Sequence, residues 1–298
     1  MRLSTSSGAA RKLRLVDSMA AAHYRVQIVR ANSEVLAGLL QLPAHRGRNM
    51  SQLVFIHGPG AGGCADGFAY QLTHFPGSLA PNLPGHLEGD RCPTVDAYTE
   101  WLRGWLWAQG HQRNLVLVGF TLGACIGLQY ALDYPSEVAA LVLMTVAIRP
   151  KQRPPGAYEM RLDAQNGGGA YDKWLAYQDH ALMFVDSELR QRLMERHRQV
   201  GPLSQYHDLV AIDRFDVRDR MQTLRTPLLL IRGLDDPTQP PEYELEIQEA
   251  VPTARYLKLK GAGHFPMAER PDEVNRAIEA LIASLDVAGA IPGEQRAR

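Results

Sequence analysis

Cysteine is scarce in this 298-residue chain. Cys64, Cys92 and Cys125 are too few and too scattered for a disulfide framework or a zinc pattern. A reduced, cytoplasmic setting is the simplest expectation. Net charge is absent as well: 32 basic residues balance 32 acidic ones, so there is no electrostatic footprint for nucleic acid. No apolar run reaches the roughly 20 residues needed to cross a membrane. The opening MRLSTSSGAARKLRLVDSMA is basic and serine-containing, and it lacks the apolar stretch of a secretory signal. No nucleotide-binding loop and no cluster with metal-ligand spacing occurs, so no cofactor is expected. The partner left is a small-molecule substrate, and the sequence assigns no oligomeric state.

Hydrophobic residues make up 45% of the chain, enough for one large core. Residues 1–22 read as a flexible N-terminal extension, with Met19 a second candidate start, and residues 288–298 as a flexible tail. Between them, apolar strand-like runs alternate with helical spacing. Residues 24–31 and 35–42 suggest an opening hairpin. Ser51 to Ile56 is a buried strand that ends in His57-Gly58-Pro59-Gly60-Ala61-Gly62-Gly63. A helix follows to about Phe75, then a short strand with its exit loop over Leu79 to His86, and a helix over Thr94 to Ala108. Leu115–Val118, Val138–Met144, Pro227–Ile231 and Tyr256–Leu259 are further strands, and Pro241–Ala250 and Pro271–Leu285 are helices. Strands alternating with helices predict a parallel sheet covered on both faces. The alternation breaks over residues 149–213, which are proline-rich, then glycine-rich, then polar and helical. That segment reads as a helical cap inserted into a core formed by residues 23–148 and 214–287.

The organising stretch is Leu115 to Tyr130, LVLVGFTLGACIGLQY. An apolar strand meets Gly119-Phe120-Thr121-Leu122-Gly123, and small and apolar residues follow at helical spacing. Bulk at Gly119 or Gly123 would clash where strand and helix nearly touch. On the pentapeptide alone, Thr121 is equally well a turn residue of an ordinary strand–helix junction. Two later loops also follow apolar strands: Gly233-Leu234-Asp235-Asp236-Pro237 and Gly261-Ala262-Gly263-His264-Phe265-Pro266. Loops so placed lie at the carboxyl edge of the sheet, where open α/β folds bind ligands. A hydroxyl nucleophile needs a base, and the base needs an acid to fix its tautomer. Thr121, Asp236 and His264 supply those three chemistries in chain order.

The five turn residues resemble the nucleophile elbow of the α/β-hydrolase family, G-x-S-x-G, with threonine where serine usually sits. FIHGPGAGG, NLPGHLEGD, LLLIRGLDDP and GAGHFPMAERPDEVNRAIEAL resemble further segments of that family, in family order. The resemblance covers most of the chain outside the cap and the termini. It implies an α/β-hydrolase fold and a catalytic Thr121–His264–Asp236 triad. The family places the acid three residues after the strand-ending glycine, which selects Asp236 and leaves Asp235 as a turn or cap residue. It also implies an oxyanion hole with the Leu122 N–H as one donor. The second donor position falls on Pro59, which has no N–H, so Gly58 or Gly60 takes that place. His57 and His86 match family histidines that are usually structural, and Cys125 reads as a buried, inert thiol.

Two functional classes follow. The first is a hydrolase of small, largely apolar esters or related acyl compounds, working through an acyl-threonine. The second is a non-hydrolytic member of the fold, either a lyase using His264 as base or a ligand-binding protein. A carbon–carbon bond hydrolase is a further alternative, because the Pro-Gly-Ala-Gly-Gly loop is similar to that of such enzymes and of proline iminopeptidases, less one glycine. Tyr158, Trp174, Tyr177, Leu182, Met183 and Phe184 of the cap are expected to wall an apolar pocket.

Overall fold

The computed structural model describes residues 51–289. The expected hairpin at 24–42, the extension over 1–22 and nearly all of the tail lie outside the described residues. Five strands form one sheet in the order β1 (Gln52–Ile56), β2 (Leu115–Phe120), β3 (Val138–Met144), β4 (Leu228–Gly233) and β5 (Arg255–Leu259), every neighbouring pair parallel. Parallel strands need covered faces, and their side chains alternate between two cores. Val54, Ile56, Leu117, Leu143 and Leu230 face one; Phe55, Val118, Val142 and Ile231 face the other.

The first core is closed by α2 (Val95–Ala108), α3 (Leu122–Asp133) and α7 (Glu242–Ala250), and the second by α1 (Ala69–His74), α8 (Pro266–Glu269) and α9 (Pro271–Gly289). Thr94 caps α2 by accepting the Ala97 N–H at 3.2 Å. The helix expected before Phe75 is split, with a 3₁₀ turn at Ala65–Phe68 preceding α1. The strand expected at Leu79 shrinks to a single parallel bridge with Val54. Pro81 and Pro84 lack the N–H groups that would extend the ladder.

That bridge decides where a ligand can sit. Leu79 pairs with one edge of β1, through Phe55 N–H to Leu79 O at 2.7 Å, while β2 occupies the other edge. The chain thus leaves β1 in one direction and returns on the opposite side. The crevice between the carboxyl ends of β1 and β2 is a topological switch point, the usual ligand site of such sheets.

Between β3 and β4 the chain inserts α4 (Ala157–Ala164), α5 (Gly168–Ala181) and α6 (Ser187–Asp213). Asp186 caps α6 by accepting two N–H groups, and Gly201 (φ 82°) with Pro202 kinks it. Asp208 of α6 reaches back to accept from His86 at 2.9 Å and from the Tyr98 hydroxyl at 3.2 Å, both in the interior. Arg153 pairs with Asp213 and Arg196 with Asp66. No helix among the described residues is long and apolar enough to cross a membrane.

Candidate active site

Thr121 sits between β2 and α3 with φ 48° and ψ −106°, a conformation branched residues rarely adopt. The turn is held by close packing. A Cβ on Gly119 would come within 2.3 Å of the Gly123 carbonyl oxygen, and one on Gly123 within 1.9 Å of the Ile56 oxygen. Glycine at both positions is a steric requirement. The Thr121 N–H donates to Met144 O at 3.0 Å, fixing the elbow to β3. Helix α3 is buried from Leu122 to Ala131, and its N-terminus points at the elbow.

His264 follows β5 and stands at the same edge. Its Nδ1 lies 2.9 Å from Asp236 Oδ2 and 2.7 Å from the Thr238 hydroxyl. That hydroxyl donates to Asp236 Oδ1 at 2.8 Å, as do the N–H groups of Thr238 and Gln239 at 2.7 and 3.2 Å. Burial alone would raise the Asp236 pKa. The His264 ring and the Thr238 donors outweigh it and hold the carboxyl well below the ordinary range. With Nδ1 committed to Asp236, Nε2 is the nitrogen left to act as a base. Asp235 instead accepts the Gly261 N–H at 2.9 Å, tying two loops together.

Thr121 and His264 line one cavity of about 450 Å³ under the cap, but they share no hydrogen bond. The Thr121 hydroxyl is buried and unpartnered. It lies so close to the first loop that a Cβ on Gly58 would come within 2.0 Å of it.

Around the hydroxyl are the N–H of Leu122, first in α3 and without an intrahelical acceptor, and the loop Gly58–Gly60. Pro59 is extended and lines the cavity, and Gly60 turns at φ 65°. Neither the Gly58 nor the Gly60 N–H makes a hydrogen bond among the described residues.

His57 and His86 brace these loops. His57 Nε2 accepts the Leu83 N–H at 2.8 Å, and burial with the neighbouring His86 lowers its pKa. Burial would lower the pKa of His86 too, but the Asp208 carboxylate outweighs this and raises it. Burial pushes the Cys125 thiol up to about 11, so it carries little thiolate at neutral pH. Among the described residues, no three His, Cys, Asp or Glu side chains converge as a metal site would require.

The cavity has an apolar wall, but it is built from residues other than those expected. Of the six cap residues named for it, only Tyr177 reaches the cavity. Trp174 is buried within the cap, stacked on His197 at 3.8 Å, and Leu182 is sunk in the second core. Met183 and Phe184 are exposed, and the Tyr158 hydroxyl turns to Asp213. Phe120, Met160, Leu209, Ile212 and Phe265 line the cavity, and beside them stand Lys151, Arg153, Arg161, Gln178, Gln205 and Gln239, with no Asp or Glu. Thr238 and Glu269 were also missed by the sequence reading; the latter accepts the N–H groups of Gly263 and Phe265 on either side of His264. RPKQRPPG, which contains Lys151 and Arg153, begins at Arg149 beyond β3, at the carboxyl edge where open α/β sheets bind ligands.

The chain matches the alpha/beta hydrolase family over residues 53–277. It is 29% identical over 186 residues to "Putative carbamate hydrolase RutD" of Escherichia coli O7:K1, covering 60% of this chain and 69% of that one. The like-named protein of Escherichia coli O44:H18 is 27% identical over 224 residues, 72% and 81% of the two chains. Among solved structures, a malate-bound thermophilic esterase from Thermogutta terrifontis superposes with a TM-score of 0.67 at 22% identity, over 79% of this chain and 90% of that one. The enol-lactonase of Burkholderia xenovorans LB400 gives 0.66 at 18% identity, over 80% and 93%.

Proposed function

Because this chain belongs to the alpha/beta hydrolase family, we propose that it hydrolyses small acyl compounds, esters above all, through a Thr121–His264–Asp236 triad. The observation that carries the reading is the orientation of His264. Its Nδ1 is pinned by Asp236 and Thr238 while its ring lines the cavity that Thr121 enters from a strained elbow. The Thr121 hydroxyl rotates from Gly58 toward His264, gives its proton to Nε2 and attacks the substrate carbonyl. Asp236 stabilises the imidazolium. The Leu122 N–H, with Gly58 or Gly60, receives the charge developing on the carbonyl oxygen. His264 protonates the leaving group, then activates the water that releases acyl from Thr121. A carbamate, the compound class in the name of the Escherichia coli relatives, is also an acyl compound.

The test is a panel of chromogenic esters assayed with wild type, Thr121→Ala and His264→Ala. Loss of turnover in both variants supports the triad, and equal rates in all three remove the hydrolase reading. One observation favours a second reading, in which His264 acts as a base without an acyl intermediate, or the site only binds ligand. The Thr121 hydroxyl does not contact His264, and Pro59 offers no N–H. Mass spectrometry of the chain during turnover separates the two, since only the triad adds an acyl group to Thr121.

A further inference from the structure

The cavity under the cap carries positive charge that the protein does not neutralise. Three cationic side chains line it and no carboxylate does. Arg153 is satisfied, its guanidinium meeting Asp213 through two bonds of 2.8 Å. The other two have only neutral partners.

Arg161 on α4 is 4% exposed. Its Nε donates to Gln205 Oε1 at 2.9 Å and its Nη1 to the Ala157 carbonyl. The guanidinium sits 5.5 Å from the centre of the Tyr177 ring. The ring side of the guanidinium meets the neutral Tyr177, and no bond from Nη2 to a carboxylate exists among the described residues. Lys151 donates to Thr145 O at 3.1 Å and to Gln239 Oε1. Two carboxylates act on Lys151 through space without bonding it, and each has its own partner: Glu244 pairs with Arg232 at 2.9 Å and Asp236 with His264 at 2.9 Å. Burial, with Arg153 adding to it, pulls the Lys151 pKa down to about 8.

A buried cation without a counter-ion, as Arg161 is, is costly, and native structures almost always pair one; Lys151, lining the same cavity, is half-buried. The surroundings extend this wall to the reacting groups. Gln205 Oε1 also accepts Trp174 Nε1–H, its Nε2 donates to Gln178, and a Cβ on Gly60 would lie 2.4 Å from that Nε2. Arg161 is therefore one side chain removed from the Gly58–Gly60 loop.

We propose that this wall is an anion site, and that the substrate is a short acyl compound bearing a free carboxylate, held by Arg161 and Lys151 while its carbonyl lies at Thr121. The planar carboxylate suits a guanidinium with one amino group open. The short path from Arg161 to the loop favours a chain of few carbons, such as a monoester of a small dicarboxylic acid. The inference rests on the hydrolase reading for the reaction but not for the binding.

The experiment uses the full chain and keeps the two separable. Binding of succinate, glutarate and inorganic phosphate is measured by calorimetry on wild type, Thr121→Ala, Arg161→Gln and Lys151→Met, each first checked for a cooperative melt. Turnover of monomethyl and dimethyl succinate is compared in parallel. A dicarboxylate should bind wild type, still bind Thr121→Ala, and weaken about tenfold or more in Arg161→Gln and Lys151→Met. Monoester should outrun diester in kcat/KM by a similar factor in wild type only. Should Arg161→Gln fail to fold, Lys151→Met and Arg161→Lys decide. Dicarboxylate binding with no ester turnover would sink the hydrolase reading and leave the anion site standing. Failure of both dicarboxylates to bind wild type, binding that survives both substitutions, or phosphate binding more tightly than either dicarboxylate would overturn the proposal.

Discussion

Thr121→Ser removes one methyl group from the most constrained residue of the site. A non-glycine residue in so sparsely populated a backbone region costs about 1–3 kcal/mol, and the unbranched serine relieves about 1 kcal/mol of that. Against this, the methyl of a residue only 6% exposed contributes about 0.8 kcal/mol by its burial. The two nearly cancel, so the melting midpoint should move by less than about 3 °C. The rate should respond more. The hydroxyl must turn from Gly58 to His264, and a β-branched side chain resists that rotation. If the transition state is relieved of about 1 kcal/mol, turnover of unhindered esters rises roughly fivefold. The assay is kcat and kcat/KM on a short-chain ester for wild type and Thr121→Ser, beside a thermal melt of each. A serine variant no faster than wild type at unchanged stability would refute the strain reasoning and mean that the pocket is shaped around the methyl.

Further outcomes are expected. Asp236→Asn leaves His264 with the wrong tautomer and should lower kcat by about 10³–10⁴-fold with KM little changed, read by steady-state kinetics. Gly58→Ala places a methyl 2.0 Å from the Thr121 oxygen, so esterase activity should fall by about a hundredfold or more, with the folded fraction checked by circular dichroism. Gly123→Ala, whose Cβ would meet the Ile56 oxygen at 1.9 Å, should prevent accumulation of folded protein. Gly127→Ala, with nothing nearer than 3.7 Å, should melt at or above the wild-type temperature. Glu269 tests pH linkage: burial pushes its carboxyl from 4.5 up to about 7, against the two N–H groups it accepts. A raised folded pKa means the contribution is fully present below about pH 4.5 and lost as pH rises through 7, a swing of about 3 kcal/mol. Urea melts of wild type and Glu269→Gln at pH 5 and pH 8 should show wild type losing stability relative to the variant.

Much of the fold was legible because its causes are local. Val138–Met144 forms a strand over the residues that its unbroken apolar run marks, and α6 kinks at the Gly201-Pro202 pair where the helical pattern before it stops. The glycine spacing around Thr121 implied a close approach of strand and helix, which the steric contacts at Gly119 and Gly123 explain. The strand expected near Leu79 nearly vanished for a reason also local, the two prolines that follow it.

The sequence by itself determined at which edge of the sheet the candidate residues emerge, because strand periodicity and loop position are written in neighbouring residues. It pointed to Thr121, Asp236 and His264 across more than 140 positions of chain. Only the tertiary structure decided what surrounds them. The Thr121 hydroxyl rests against Gly58, Thr238 meets the His264 ring at 2.7 Å, and the expected aromatic wall, Tyr177 apart, is turned into the cap or to the surface. Lys151 and Arg161 read along the chain as ordinary surface cations. They become one charged wall only when α4, α5 and α6 fold over the switch point, burying Arg161 and half-burying Lys151, and no local pattern encodes that burial.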